Sequence, residues 1–352
     1  MYHAIGAELR RIIGGMNWDI SGHEWAVQLL QQHIGSQQTR HAYLFSGVEG
    51  IGKRTLALKF AQAFNCPQPP HPGEACGQCR TCRQIEKMQY SDLMVVQAEN
   101  EGGILKIDQV RDLQRSMSLT PFEGRYRIAL LLRFHEANDN AQNALLKLLE
   151  EPPSRAVLLL TAAAPETLLP TIVSRCEVLR LRPQPVEVLS TQLQEHWSIN
   201  GDEARKLAHL SGGRVGYALR LHEEPQRLEV RQRWLEDLFS LLVSSRRSRM
   251  AYAEQFKREG KERLRQALLN WLPVWRDLLL LASRAEVPLT DIENSTRLQP
   301  FAEQMGLSET RRVLNDLENG LEKLDNSNVN AQMLAEILLL DWPIIHLISS
   351  NN

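Results

Sequence analysis

The chain has 352 residues, of which 43% are hydrophobic and 24% charged, a composition typical of a globular protein with roughly two or three domains. Its formal net charge is −1, so no overall positive field favours nucleic acid, and such a contact would need a local basic patch or a partner. No apolar run reaches the ~18 residues of a membrane span. Residues 1–16 lack the apolar core of a secretory signal, and we therefore expect a cytoplasmic protein.

From residue 19 to about residue 181, helical and strand-like patterns alternate. Apolar residues recur at helical spacing in "DISGHEWAVQLLQQHIGS", after a weakly patterned extension over residues 1–16. The predicted strands are 41–47, 92–99, 126–134, 155–163 and a short last strand within 168–181. The predicted helices between them are 53–66, 106–119 and 138–153. This alternation predicts a parallel sheet that is covered by helices on both faces.

The segment "LFSGVEGIGKRTLALKF", residues 44–60, joins a predicted strand to a predicted helix through a glycine-rich loop. This is the context of a phosphate-binding loop, in which backbone N–H groups surround phosphate and a lysine neutralises it. The next position should carry a hydroxyl for Mg²⁺, but Arg54 stands there, and Thr55 comes one residue late on another side of the helix. The loop is therefore a degenerate phosphate loop. Its candidate nucleotide-binding residues are Gly47, Gly50, Gly52, Lys53, Arg54 and Thr55.

A second acidic element of P-loop hydrolases is also missing. Such enzymes place an Asp, often followed by Glu, at the end of an apolar strand to hold magnesium and water. Here the strand "IALLLRF" ends at residues 132–134 without a carboxylate. We expect Glu136 to be a solvated loop residue and Asp139 to cap the following helix. Two losses in the same chemistry predict that the chain has no intrinsic ATPase, and they leave ATP or ADP binding open.

Four of the five cysteines lie in one segment, residues 66–82, with the spacing C-x₉-C-x₂-C-x₂-C. Its proline and glycine content predicts no regular structure. Paired C-x₂-C steps bring thiolates to one ion, and four thiolates complete a closed, structural Zn²⁺ site. His71 is an alternative fourth ligand in place of the first cysteine. The predicted zinc ligands are Cys66, Cys76, Cys79 and Cys82.

The tripeptide "SRC" at 174–176 follows a proline-containing turn. Considered alone, Arg175 is an exposed surface arginine. In a ring-forming ATPase an arginine at such a place reaches the nucleotide of the neighbouring subunit and stabilises transition-state charge. Cys176 has no evident histidine partner and is expected to be a small, buried residue.

After the proline-rich break "RPQPVE" at 182–187, every pattern is helical. Three short helices are predicted at roughly 185–196, 202–210 and 214–221. Four longer helical patterns follow, so the C-terminal part is predicted to be all-helical. The basic clusters at 246–249 and 257–265 are expected to be solvated helix faces or loops, and a role in DNA binding is the less favoured interpretation.

Together these residues resemble one family, the bacterial clamp-loader subunits of the AAA+ class. The likeness is carried by "HAYLFSG", "GVEGIGK", "C…CGQCRTC", "NALLKLLEEPP" and "LLPTIVSRC", whereas the C-terminal helices match only in general character. The resemblance implies an α/β plus all-α architecture. It comprises an AAA+ P-loop module over 1–183 with the zinc-binding insertion at 66–82, a helical lid over 184–224 and a helical collar for oligomerisation over 225–352.

The resemblance also implies roles for individual residues. Arg175 would be an arginine finger offered in trans, and the four cysteines would form the zinc module of the family. In the lid, Gly216 stands where motor subunits carry a nucleotide-sensing arginine, and Arg214 is near but not equivalent. These departures favour a non-hydrolysing ring member over the alternative, an active ATPase motor subunit. A third interpretation is an unrelated P-loop regulator whose zinc module binds nucleic acid directly.

The expected partners follow from the same resemblance. They are motor and delta subunits in a heteropentamer, which would act on a sliding clamp and primed DNA, with no membrane contact.

Overall fold

The computed structural model describes residues 18, 20–100, 102–326 and 329–345, so the expectation for residues 1–16 lies outside the described chain. The protein divides into two compact units. The first ends at Gln184 and also includes Arg214–Gly216, and the second comprises Pro185–Gly213 and everything from Tyr217 onward. Within the described residues, no helix is both long enough and apolar enough to cross a bilayer.

The first unit is built on five parallel strands in the order β2-β3-β4-β1-β5. Strand β1 lies between β4 and β5 and pairs with both, so that Leu44 lies opposite both Leu160 and Val178. In chain order its elements are α1 (Glu24–Gly35), β1 (Ala42–Ser46), α2 (Lys53–Asn65), α3 (Arg80–Glu86), β2 (Leu93–Val96), α4 (Ile107–Met117), β3 (Arg127–Leu131), α5 (Asp139–Glu150), β4 (Ala156–Ala162), α6 (Pro170–Val173) and β5 (Glu177–Arg180).

Both faces of this sheet are buried. Tyr43 and Phe45 pack on one face with residues of α1 and α2, and Leu44 packs on the other face with residues of α4 and α5. Alternate residues of a strand point to opposite faces, so a strand that is buried throughout needs helices on both sides. The prediction of a doubly covered parallel sheet is confirmed.

Parallel strands bring their carboxyl ends to one edge, and this edge carries the candidate site. The glycine loop follows β1, residues 132–136 follow β3, and Ala163 follows β4. The amide of Gly47 donates to the carbonyls of Ala162 and Ala163 at 3.2 and 3.1 Å, which joins the loop to the end of β4.

From Pro185 onward the described chain is helical, as predicted. Four tryptophans occupy the core of the larger helical part: Trp234 contacts Trp271 edge-on, and Trp342 contacts both Trp271 and Trp275. The helices are α7 (Val186–Trp197), α8 (Gly201–Ser211), α9 (Val215–Glu223), α10 (Gln226–Val243), α11 (Arg246–Ala253), α12 (Gln255–Ser283), α13 (Ser295–Asn326) and α14 (Ala331–Leu340).

One expectation for this part is wrong. The basic cluster 246–249 was expected to be solvated, but Arg249 is fully buried. The carbonyls that it contacts belong to the last turns of α10 and α14 and the residues after α14, where helix carbonyls lack intrahelical partners and carry partial negative charge. Its guanidinium donates five hydrogen bonds, to the carbonyls of Leu241, Leu242, Leu339, Trp342 and Pro343.

Candidate functional site

The glycine loop has the backbone that only glycine readily adopts. Gly47, Gly50 and Gly52 have φ values of 149°, 75° and 105°. A Cβ atom on Gly47 would also lie 2.6 Å from the carbonyl oxygen of Leu181, so any side chain there would force this backbone apart. Gly52 is the N-cap of α2, which places the loop at the positive end of that helix.

The Lys53 side chain folds over this loop. Its ammonium group donates to the carbonyl of Gly47 and, at 2.9 Å, to that of Val48. Burial lowers the pKa of Lys53 to about 8, and the nearby Glu49 carboxylate partly opposes the shift. Arg54 and Thr55 are exposed at the start of α2, so neither side chain is enclosed by the loop.

His23 contacts the backbone of the glycine loop, and the sequence did not indicate this role. It is buried, and its Nε2 lies 3.0 Å from the carbonyl oxygen of Ile51. Because the partner is an acceptor, Nε2 carries the proton. Burial lowers the pKa of His23, which keeps the ring neutral. The motif "SGHE" just before α1 is the only signal for it in the sequence.

At the end of β3, a basic residue occupies the place of the missing carboxylate. Arg133 has a left-handed backbone with φ of 49°, and its amide donates to Oγ1 of Thr161 at 2.8 Å. Its Nε donates to Oε1 of Glu136 at 2.9 Å, and Gly102 N donates to the same oxygen at 3.0 Å. Oε1 of Glu136 is thus held by Arg133 and by loop backbone, whereas its Oε2 is buried and has no hydrogen-bond partner among the described residues.

Two expectations about acidic residues are therefore corrected. The Glu136 side chain is only 9% exposed and not solvated, because the adjacent guanidinium compensates its charge. The N-cap of α5 is Asn138, whose Oδ1 accepts from Ala141 N at 2.9 Å, and Asp139 is the first helical residue. An Asn immediately before the helix satisfies a free N–H group as well as an Asp does.

His135 adds a neutral ring to this edge. Its Nδ1 accepts from the amide of Ala163 at 3.3 Å. Burial lowers the pKa of His135; Glu136 opposes this shift, and the charges of Lys53 and Arg133 add to it. The carboxyl edge of the sheet thus presents cations and a neutral imidazole where a hydrolase would hold a metal ion.

The four cysteines come together as predicted. Their Sγ atoms all lie within 4.8 Å of one another, with 3.6 Å between Cys66 and Cys76 and 4.0 Å between Cys76 and Cys82. Four thiolates around one ion at a bond length of ~2.3 Å would lie ~3.8 Å apart, so the cluster fits a tetrahedral metal ion. His71 is exposed and is not part of this cluster.

Local structure explains the convergence of the cysteines. Cys66 ends α2, and Cys79 is the N-cap of α3, which contains Cys82. This helix corrects the expectation that residues 66–82 lack regular structure, since it begins at residue 80. The backbone N–H of Cys79 donates to Sγ of Cys76 at 3.3 Å and is the main cause that lowers the pKa of Cys76 to about 6.

Two side chains outside the cysteine segment, residues 66–82, bind it to the rest of the unit. Gln62 Nε2 on α2 donates to the carbonyl of Cys82 at 2.8 Å, and the Trp18 indole donates to the carbonyl of Gly73 at 3.1 Å. These bonds hold the cysteine segment against α2 and against Trp18.

Arg175 lies between α6 and β5. It belongs neither to the residues at the carboxyl edge of the sheet described above nor to the cysteine cluster. Its Nη2 is 2.9 Å from Oε1 of Glu150, its Nη1 donates to the carbonyl of Thr171 at 3.0 Å, and its side chain is 37% exposed. The next residue, Cys176, packs against the core, and burial raises its pKa to about 12. The thiol is protonated, but the residue is half-buried and not buried as predicted, because it packs at the margin of the core.

Gly216 is grouped with the first unit, close to the glycine loop. A Cβ atom on Gly216 would lie 2.9 Å from the carbonyl oxygen of Gly50. A side chain at this position would press on the loop, so the structure leaves no room there for a sensing arginine.

The fold and the loop define a P-loop α/β module, with Arg54 after the loop lysine and Arg133 at the end of β3. A family model described as "DNA polymerase III, delta subunit" matches residues 22–185. The DNA polymerase III subunit delta' of Pseudomonas aeruginosa is 32% identical over 324 residues, 90% of this chain and 96% of that protein. The corresponding Bacillus subtilis protein is 31% identical over 89% of this chain and 94% of that protein. The chain belongs to the family of DNA polymerase III delta' subunits.

Similarity to other subunits is more limited. The DNA polymerase III subunit tau of Escherichia coli is 33% identical, but over 58% of this chain and 32% of that protein. A gamma subunit-related protein of Thermotoga maritima, known as a crystal structure, covers 89% of this chain and 96% of its own at 18% identity, with a TM-score of only 0.43. The family assignment rests on the delta' relatives.

Proposed function

We propose that this chain is the non-hydrolysing delta' subunit of a bacterial clamp loader within the DNA polymerase III holoenzyme. In this role it presents Arg175 in trans to ATP bound by a neighbouring motor subunit. The observation that carries the proposal is the set of residues at the carboxyl edge of the sheet. The phosphate loop is kept there, but Arg133 stands in place of the catalytic carboxylate. ATP hydrolysis in its own site lacks both the metal-binding hydroxyl and the group that orients water.

The exposure of Arg175 supports its part in this proposal. The side chain of an arginine finger must extend from the surface of its own subunit to phosphate oxygens bound by another. A fully buried arginine would therefore be unsuitable. Arg175 is half-buried and donates to one carboxylate, one carbonyl and, at 3.5 Å, the Ser174 hydroxyl, and it has further N–H groups to offer. Such a cation stabilises the charge that develops on the transferred phosphoryl group.

The larger organisation belongs to the same proposal. It comprises an AAA+ module over 1–183, a lid over 184–224 and a collar over 225–352, through which the chain would join motor (gamma/tau) and delta subunits in a heteropentamer. The ring would open a sliding clamp and place it on primed DNA in the cytoplasm. The names of the family relatives support the assembly of this chain with other clamp-loader subunits.

The metal of the cysteine cluster is proposed to be Zn²⁺. Four thiolates form a soft, tetrahedral donor set that suits zinc and excludes Mg²⁺ and Ca²⁺, which prefer oxygen. All four positions would be filled by protein, so the ion would stabilise the module and not take part in a reaction.

Reconstitution of the clamp loader with Arg175→Ala tests the proposal. We expect assembly to persist and the DNA-stimulated ATPase activity of the complex to fall by about tenfold or more, since an arginine finger contributes on the order of 10³-fold at its own site. Arg180→Ala is the matched control, because Arg180 is also exposed and pairs with a glutamate, Glu166, at 2.7 Å. Unchanged turnover in an assembled Arg175→Ala complex would refute the role of the finger.

The alternative function is an active motor of the gamma/tau type. The partial similarity to tau favours it, and the substitution of the magnesium and carboxylate positions opposes it. Magnesium-dependent ATP turnover by the isolated chain separates the two functions.

A further inference from the structure

The surroundings of Arg175 suggest a role for a second residue, Glu150. Glu150 is the last residue of α5, and its Oε1 accepts from Nη2 of Arg175 at 2.9 Å. The carbonyl of Thr171, on α6, accepts from the other terminal nitrogen at 3.0 Å. Two acceptors on different elements thus bind different nitrogens, which fixes the orientation of the guanidinium plane.

The position of Glu150 is not explained by the stability of its own helix. The carboxyl end of a helix carries partial negative charge, so a carboxylate in the last turn is unfavourable there. Glu151, the next residue, leaves the helix with φ of −123° and ψ of 70°, and its side chain forms no ion pair with the described residues. Of these two adjacent acids, only Glu150 contacts the arginine.

We infer that Glu150 is a positioning residue for Arg175, an inference that rests on the proposed function. An exposed arginine populates many rotamers, and binding phosphate in one orientation costs conformational entropy. Glu150 holds Arg175 near one orientation before the neighbouring subunit arrives, which lowers that cost at the moment of catalysis.

The ion pair with Glu150 does not prevent Arg175 from binding phosphate. Glu150 and Arg175 are 52% and 37% exposed, and an ion pair in contact with water contributes little net free energy, so the greater charge of a triphosphate competes successfully with it. Glu150, Thr171 and, at 3.5 Å, the Ser174 hydroxyl engage three of the five N–H groups of the guanidinium, and two remain for a ligand.

The test measures the ATPase activity of the reconstituted complex carrying Glu150→Ala, with Glu151→Ala as the matched control. We expect Glu150→Ala to lower kcat about two- to fivefold, the range of an exposed ion pair, with KM for ATP unchanged. Glu150→Gln, whose amide oxygen still accepts a hydrogen bond, should restore part of the loss, and Glu151→Ala should behave as the unsubstituted complex.

A double-mutant cycle separates positioning from a general structural effect. In an Arg175→Ala complex, adding Glu150→Ala should cause no further loss, because its effect acts through the arginine. A further, additive loss would show that Glu150 acts on structure instead. Full activity of Glu150→Ala beside an inactive Arg175→Ala complex would refute the inference alone, whereas full activity of Arg175→Ala would refute the proposed function itself.

Discussion

Arg249 shows that a buried cation can be accommodated without a carboxylate partner. Five backbone carbonyls accept its N–H groups, and they come from the ends of α10 and α14 and the residues that follow. Burial, together with the nearby charge of Arg246, lowers the pKa of Arg249. The residue therefore joins two helix ends that would otherwise leave polar groups unsatisfied in the core.

Arg249→Ala should consequently destabilise the protein. Removing the side chain leaves several buried carbonyls without donors, and we expect the free energy of unfolding to fall by roughly 3 kcal/mol or more. Arg247→Ala, two residues earlier and exposed, should change it by less than about 0.5 kcal/mol. Urea denaturation followed by tryptophan fluorescence measures both, and equal midpoints for the two variants would contradict the assigned role.

His23 gives stability a dependence on pH. Its pKa is lowered by burial in the folded protein, whereas the unfolded chain has the ordinary value near 6.5. Below that value the unfolded state binds more protons than the folded state, so stability is lost as the pH falls.

His23→Gln should reduce this loss, because an amide N–H can donate to the carbonyl of Ile51 without titrating. Unfolding free energies measured between about pH 7 and pH 5 should fall less steeply in the variant than in the unsubstituted protein. His135, also lowered in pKa, remains in both proteins and cancels in the comparison. Identical slopes would show that His23 does not titrate differently on folding.

The surroundings of a residue can be predicted from the sequence where the signal lies within a short segment. They cannot be predicted where they depend on residues that are distant in the chain. The spacing of the four cysteines and the loop glycines lies within short segments, so their convergence could be predicted. The burial of Arg249 could not be predicted, because the three arginines of "RRSR" look alike until the helix ends around them are known. Glu136 is similar, since its ion pair requires the left-handed turn at Arg133.

At the level of elements, the five strands were predictable because each is a short apolar run that is buried between helices. Helix α3 was missed because it begins inside a segment rich in cysteine, proline and glycine, with Cys79 as its N-cap. The side chain of this cysteine accepts from the N–H of Cys82, a role usually filled by Ser, Thr, Asp or Asn.

The metal-binding module offers a test at this scale. The purified chain should contain about one zinc ion per molecule by elemental analysis, and Cys82→Ser should lose it because one of four ligands is removed. Chelation or Cys82→Ser should also lower Tm, since metal binding is coupled to the folding of the module. Cys176→Ser, outside the cluster, should retain the ion, and a metal-free protein with unchanged Tm after chelation would contradict the assignment.

For the whole molecule, the order of the strands determines which loops lie next to one another at the candidate site. Strand β1 lies between β4 and β5, so the glycine loop that follows it lies between the ends of these two strands, and β3 lies beyond β4. The alternation of strands and helices predicted a parallel sheet with this edge, and the helical part after the proline-rich break was equally clear. The residues at the edge, with Arg54 and Arg133 in the altered positions, then predict loss of hydrolysis within a retained fold.

The loss of hydrolysis can be measured in the purified chain alone, as its steady-state ATPase activity with Mg²⁺. We expect turnover at background level, which Lys53→Ala does not change. Turnover on the order of one per second or faster, abolished by Lys53→Ala, would show that the chain is itself a motor and that its own site has kept hydrolysis.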